Sequence, residues 1–145
     1  SNLYFLISGI IKGYKVNNDK IVVEHLVEKN SFFTSLESFT NNKPSKEYFE
    51  TITDSSISKI PLVHLNALKT NSKKWSNLIE MMITENLSCK MERANDFQTL
   101  TAKERYLKFL KNSPDLALHV SIDNIASFLG MEPQSLSRIR KQIII

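Results

Sequence analysis

Glycine is scarce in this chain, with three in 145 residues. That leaves little material for the glycine-rich loops that cradle phosphates in many nucleotide-processing enzymes. Cysteine occurs once, as Cys89, which excludes an internal disulfide and a thiolate zinc cluster and fits a reducing compartment. Cys89 itself reads as a small residue within a helix. No apolar run approaches the ~20 residues of a membrane span, and the first residues lack the basic region, apolar stretch and cleavage site of a signal peptide. A soluble, cytoplasmic protein without a membrane partner is expected. The three histidines, His25, His64 and His119, stand too far apart for metal-ligand or nucleophile–base spacing, and the carboxylates form no pattern. The expectation is no metal centre, no catalytic residues and no enzyme.

What is present is the composition of an ordinary globular protein, 41% hydrophobic and 23% charged, long enough for a buried core without staples. The net charge of +4 is modest. Its distribution says more, because residues 133–145 carry Arg138, Arg140 and Lys141 and no acid.

Up to about Leu62 the chain is written in strands. "LYFLISGIIKGYKV" and "KIVVEHLV" are rich in β-branched and aromatic residues, and "NND" between them tolerates the positive φ of a hairpin turn. "SFFTSLESF" reads as a strand running into a short helix or turn, "NNKPS" as a loop, and "EYFETITDSSISKIPL" as two strands around Asp54–Ser56. Around residues 63–72 the period changes to a helical one. Trp75, Leu78, Ile79, Met82, Ile83, Leu87 and Met91 form a stripe over six or seven turns. It serves either packing on the chain's own β domain or pairing across a dimer.

A new helical unit follows. Thr101 and Glu104 stand at capping-box spacing, and Pro114 stops their helix. Ser121 caps the next helix, Gly130 ends it, and Pro133 opens the last. Two helices joined by a tight glycine turn match a helix-turn-helix, with Ile125, Ala126, Leu129, Leu136 and Ile139 packing between them. Gln134, Ser135, Ser137 and Arg138 then project from the last helix. Arginine can bond guanine and glutamine adenine bidentately, whereas hydroxyls and the basic Arg140 and Lys141 suit phosphates. By spacing alone, a DNA reader and a plain helix pair stand level. The three final isoleucines read either as the start of a further strand or as cover for the domain's own core.

"VSIDNIASFLGMEPQSLSRIRKQI", preceded by "TAKERYLKFL", resembles the DNA-binding domain of the Crp/Fnr family of bacterial transcription regulators, particularly its Bacteroidetes branch. "YFLISGIIKGYKV" is similar to that family's strand and hairpin, and the segment 72–97 to its dimerisation helix. The resemblance implies an α+β chain: a cyclic-nucleotide-binding-type antiparallel β-roll over 1–71, a long helix over 72–97 and a helix-turn-helix domain over 98–145. It places Pro133, Gln134 and Arg138 at the positions that face bases. The partners it implies are double-stranded DNA, a second copy of the chain, and RNA polymerase. Relative to the family pattern, the chain begins at the third strand of the roll and stops just past the recognition helix.

Family members that bind cAMP use a glycine and glutamate before a brief helix, and an arginine followed by a small hydroxyl residue about ten positions later. Here Thr34 and Ser35 replace the first pair, Ser45 falls at the arginine, and Lys46 stands beside it. Glu37 comes two positions late. Losing the ribose carboxylate and the bidentate arginine together should cost several kcal/mol. The expectation is a degenerate pocket without tight cAMP binding and without a cofactor, in a sequence-specific regulator. The alternative is a ligand-sensing or protein-interaction module whose helical tail reads no DNA.

Overall fold

A computed structural model describes residues 2–143. Its order is β1 (Asn2–Ser8), β2 (Ile11–Asn17), β3 (Lys20–Val27), β4 (Ser31–Phe33), α1 (Leu36–Asn41), β5 (Tyr48–Thr51) and β6 (Ser56–Pro61), then α2 (Leu62–Asn71), α3 (Lys73–Thr99), α4 (Ala102–Asn112), α5 (Pro114–His119), α6 (Ile122–Phe128) and α7 (Pro133–Ile143). The architecture is α+β, as expected.

The strands make two three-stranded antiparallel sheets, ordered β4-β1-β6 and β3-β2-β5. Asn18 and Asp19, at φ 48° and 61°, form the two-residue turn that closes the β2–β3 hairpin. The run 3–16, which reads as one strand, breaks at Gly9 into β1 and β2, which lie in different sheets. Gly9 has φ 97°, and a Cβ there would stand 2.1 Å from Ser55 Oγ, so only glycine lets the chain cross between sheets. Likewise β5 and β6 follow each other in sequence yet pair with β2 and β1. Leu6, Ile11, Val27 and Phe33 fill the roll between the sheets.

Residues 62–71, read with the roll, form the separate helix α2. It ends at Ser72, whose φ of −151° is extended. Helix α3 runs 27 residues, two residues beyond the expected end. Pro114 both ends α4 and occupies the first turn of α5. The capping box at Thr101 and Glu104 is formed in both directions, with the Glu104 carboxylate 2.8 Å from Thr101 N. No helix among the described residues is long and apolar enough to cross a membrane.

The helical unit has its own core: Tyr106, Phe109, Leu116, Val120, Ile125, Ala126, Leu129, Leu136 and Ile139 are all buried there. Ile10 from the roll joins that cluster, and Leu26 and Ile52 pack against it. Helix α6 therefore lies along β3. Ser127 Oγ accepts from Val23 N at 2.9 Å and donates to Ile21 O at 3.4 Å, meeting the free edge of that strand.

Candidate nucleic-acid interface and effector cavity

Helices α6 and α7 pack as the pattern requires. Ile125, Ala126 and Leu136 are fully buried, and Ser121 Oγ caps α6 by accepting from Asn124 N. Gly130, at φ 65°, makes the turn, and a Cβ there would approach the Phe97 ring to 3.0 Å. With Leu136 and Ile139 turned inward, the opposite face of α7 is left to solvent. Gln134, Arg138 and Lys141 are exposed, whereas Pro133, Ser135 and Ser137 are half-buried.

Arg140 departs from the expected phosphate role. Its Nε donates to the Tyr106 hydroxyl at 2.9 Å and its Nη2 to the Ala117 carbonyl at 3.2 Å. One position past Ile139 and four past Leu136, it lies on the inner flank of α7, where the guanidinium ties α7 to α4 and α5. Lys141 is the exposed member of that pair. Ile143 is the last residue of α7 and packs on the helical core, so it opens no strand. Ile144 and Ile145 lie outside the described residues.

The α3 stripe is divided. Ile79 is buried, and with half-buried Met82 and Ile83 it packs against Leu3, Leu65, Phe39 and Ile60 of its own chain. Leu87 and Met91 are exposed, as is Met81; Trp75 and Leu78 are half-buried. The physical reason is drift: positions three and four apart advance around the helix, so a stripe followed for 17 residues leaves the face on which it began. Met81, Thr84, Ser88, Met91 and Asn95 share the solvent face instead. Only the later part of the expected dimer seam is free.

A cleft of about 470 Å³ opens between α1 and the loop before β5, walled by Thr34, Ser35, Ser38, Lys43, Ser45, Glu47, Phe49 and Tyr4, among others. Three expected pocket residues, Thr34, Ser35 and Ser45, line it. Glu37 and Lys46 do not: both are exposed, and Lys43 supplies the cation at the rim. Thr34 Oγ1 is spent on Asn2 O at 2.9 Å. Ser45 Oγ is spent on the Glu47 backbone, accepting from N at 2.9 Å and donating to O at 3.0 Å.

Glu47, which no sequence pattern singled out, is the anchor of this region. Its side chain is only 4% exposed, with Oε1 3.4 Å from His25 Nε2, 3.6 Å from Lys90 Nζ and 3.9 Å from Lys15 Nζ. Burial pushes its carboxyl up, but His25 and Lys90 outweigh that and hold it at about 2. Ser35 Oγ lies near enough to favour the charged form, without reaching hydrogen-bond geometry. Lys90 belongs to α3, so this ion pair fastens the loop before β5 to the long helix. Glu24, His25 and Glu47 bring donor atoms within 4.8 Å of one another, a grouping invisible in their spacing. Yet Lys15 Nζ stands 3.2 Å from Glu24 and 3.9 Å from Glu47. The place between the carboxylates is taken by an ammonium rather than left for a metal.

No protein-family model matches the chain, and no curated protein matches it. Solved structures match almost its whole length. FixK2 from Bradyrhizobium japonicum superposes with a TM-score of 0.87 at 19% identity, over 98% of this chain and 74% of that one. TTHA1359, a transcriptional regulator of the CRP/FNR family from Thermus thermophilus, gives 0.74 at 14% identity, over 99% and 75%. CLP, the c-di-GMP-responsive global regulator of Xanthomonas campestris, gives 0.71 at 20%, over 98% and 76%. This chain has the fold of the Crp/Fnr regulators.

On the Crp/Fnr fold the junction between α3 and the helix-turn-helix is held by two arginines that the sequence did not mark. Arg93, from α3, donates to Glu24 O on β3 and lies over the Phe97 and Phe128 rings at 5.8 and 4.9 Å. Arg105, from α4, donates to three carbonyls: Leu100 at 2.8 Å, Leu129 at 2.9 Å and Gly130 at 3.4 Å. The signal available in sequence was only that an arginine interrupts an otherwise amphipathic helix. Where the two side chains went depended on segments 24 residues away for Arg105 and 69 for Arg93.

Proposed function

We propose that this chain is a sequence-specific DNA-binding transcription regulator, acting in the cytoplasm as a homodimer and catalysing no reaction. Its α+β chain divides into a sensing roll over 1–71, a connecting helix over 72–97 and a DNA-reading unit over 98–145. The observation that carries the reading is the solvent face of α7. Gln134 and Arg138 stand exposed on it without a hydrogen bond or ion pair to any described residue, while the opposite face is locked into the core. A buried polar face would have served packing; a free one of these types suits base edges. Gln134 and Arg138 are assigned to bases, with Pro133 at the family's third base-facing position. Ser135, Ser137 and Lys141 are assigned to phosphates. RNA polymerase is a further partner consistent with the fold.

Dimerisation is assigned to the free face of α3, with Met81, Leu87 and Met91 as its apolar members. The cleft is read as an effector site that does not take cAMP tightly. The Glu47 carboxylate is taken up by His25, Lys90 and Lys15, and the one basic residue among the cleft's described lining, Lys43, is a point charge at the exposed rim that offers a cyclic phosphate no bidentate fork.

Selection of bound sequences from random duplex DNA, with and without cAMP, tests the reading. A palindrome recovered equally in both conditions is expected, and Arg138→Ala should relax one base position of each half-site at a cost of about 1–3 kcal/mol. Recovery of no sequence preference would replace it with the alternative, a sensing module whose helical tail reads no DNA. A palindrome seen only with cAMP would refute the account of the cleft.

A further inference from the structure

Two helix ends, the C-termini of α3 and α6, meet at one guanidinium through three carbonyls. Leu100 is the C-terminal cap of α3, Leu129 is that of α6, and Gly130 forms the turn into α7. The Leu100 carbonyl lies at the negative pole of the α3 dipole, and those of Leu129 and Gly130 lie together at the negative pole of α6, where helices leave carbonyls unsatisfied. Arg105 supplies donors to all three, from Nη1, Nε and Nη2 in turn. Its planar fork fits carbonyls in fixed directions, which a lysine ammonium would not enforce. Beneath it lies Phe97, the last aromatic residue of α3, with its ring centroid 5.4 Å from the guanidinium carbon. The same ring packs against Gly130, where even a Cβ would meet it at 3.0 Å. The end of the long helix and the turn before α7 are thus pinned to one planar group.

The other ties between these parts constrain less: Arg93 is fastened to Glu24 O on β3 and touches the helix-turn-helix through the face of the Phe128 ring at 4.9 Å, a contact without fixed direction. Lys108 bonds Glu92 and Asp96 at 2.6 and 2.7 Å, but these join α4 to α3 through flexible side chains. Ser127 and the Lys20–Glu132 pair at 3.5 Å hold the helix-turn-helix to the β2–β3 hairpin, not to α3.

We propose that Arg105 is a positioning residue that sets the angle of α7 to α3, and thereby the separation between half-sites that the dimer accepts. The second half of this inference rests on the DNA reading proposed above. In a dimer joined along α3, the two copies of α7 must meet major grooves about one helical turn, ~34 Å, apart. Any play at the α3–α6 junction is carried into that spacing.

Two measurements test it. The first needs no DNA: pulsed electron paramagnetic resonance between nitroxides at Lys74→Cys and Gln142→Cys in a Cys89→Ser background, with labelled chains diluted into unlabelled ones. Wild type should give one narrow distance distribution and Arg105→Gln a clearly broader one; Arg105→Lys, which keeps the charge, should fall between. The second compares affinity for the selected palindrome with versions lengthened or shortened by one base pair at the centre. Wild type should discriminate by on the order of tenfold, the scale of one mismatched base pair. Arg105→Gln should lose most of that preference while binding random duplex as wild type does. An unbroadened distribution in Arg105→Gln would overturn the positioning role. Retained spacing discrimination with uniformly weaker binding would overturn the link to half-site spacing. Should wild type bind all duplexes alike, the DNA reading fails, and the distance distribution still decides the orientation claim. If the glutamine variant does not fold, Arg105→Lys carries both comparisons with the same expected direction.

Discussion

Replacing Arg140 by alanine separates a structural arginine from a DNA-contacting lysine one residue away. The guanidinium holds the Tyr106 hydroxyl at 2.9 Å and the Ala117 carbonyl at 3.2 Å, and lies 5.9 Å from the Tyr106 ring centroid. Tyr106 is only 3% exposed, so truncation strands a phenol oxygen and a carbonyl that water reaches poorly. A hydrogen bond from a charged donor contributes about 1.5–3 kcal/mol when buried. Arg140 is half-buried, which discounts both bonds to a total of about 2–3 kcal/mol. For a chain of this length that lowers the melting temperature by roughly 5–12 °C. Thermal and urea denaturation measure the loss, and the slope of log affinity against log salt on a fixed duplex measures phosphate contacts. Arg140→Ala should destabilise by the stated amount and leave the slope unchanged. Lys141→Ala should leave stability within about 0.5 kcal/mol and reduce the slope by about 0.9 per half-site. The reasoning is refuted if Arg140→Ala melts like wild type and its salt slope falls, because the guanidinium would then be meeting phosphate instead of Tyr106.

Three further outcomes are expected. Glu47 titrates at about 2 in the folded chain against 4.5 ordinarily, so it favours folding above pH 4.5, and that contribution is lost as pH falls toward 2. The stability difference between wild type and Glu47→Gln should shrink across this window by on the order of 3 kcal/mol, and equal acid profiles in urea titrations would contradict the pairing of Glu47 with His25 and Lys90. Gly130→Ala must place a Cβ at φ 65° and 3.0 Å from Phe97. About 1–2 kcal/mol should be lost, and an unchanged urea midpoint would mean that the turn relaxes freely. Met91→Glu puts a charge on the free face of α3 and should weaken self-association more than tenfold by light scattering, leaving the monomer's circular dichroism intact; undiminished dimer would place the seam elsewhere.

Local chemistry was readable from the chain wherever a structure is made by residues close in sequence. The Asn18–Asp19 turn, the capping box at Thr101 and Glu104, the Ser121 cap, the Gly130 turn and Pro133 in the first turn of α7 each involve groups within four residues of one another, and all are formed. The inward set Ile125, Ala126, Leu129, Leu136 and Ile139 was equally legible, because helical period alone separates it from Gln134 and Arg138. The effector cleft was legible only in part. Thr34, Ser35 and Ser45 line it, but Glu37 points elsewhere, and Lys43 rather than Lys46 reaches the rim, since a one-residue step in an irregular loop changes the side that a side chain faces.

The chain's own pattern determined the α+β class, the hairpin, the helix pair and the type of surface that α7 presents, because propensity, capping and periodicity act over a few residues. Tertiary structure decided the rest. It split the first strand run at Gly9 between two sheets, sent Ile79 and Met82 to the roll while leaving Met91 in solvent, and gathered Glu47, His25 and Lys90 around one buried carboxylate. It also gave arginines different fates, with Arg138 bonded to no described residue, Arg140 consumed by Tyr106, and Arg105 spent on the ends of α3 and α6. Each of these outcomes depends on which distant carbonyl, ring or charge comes within about 3–6 Å of a long side chain, and no spacing along the chain encodes that.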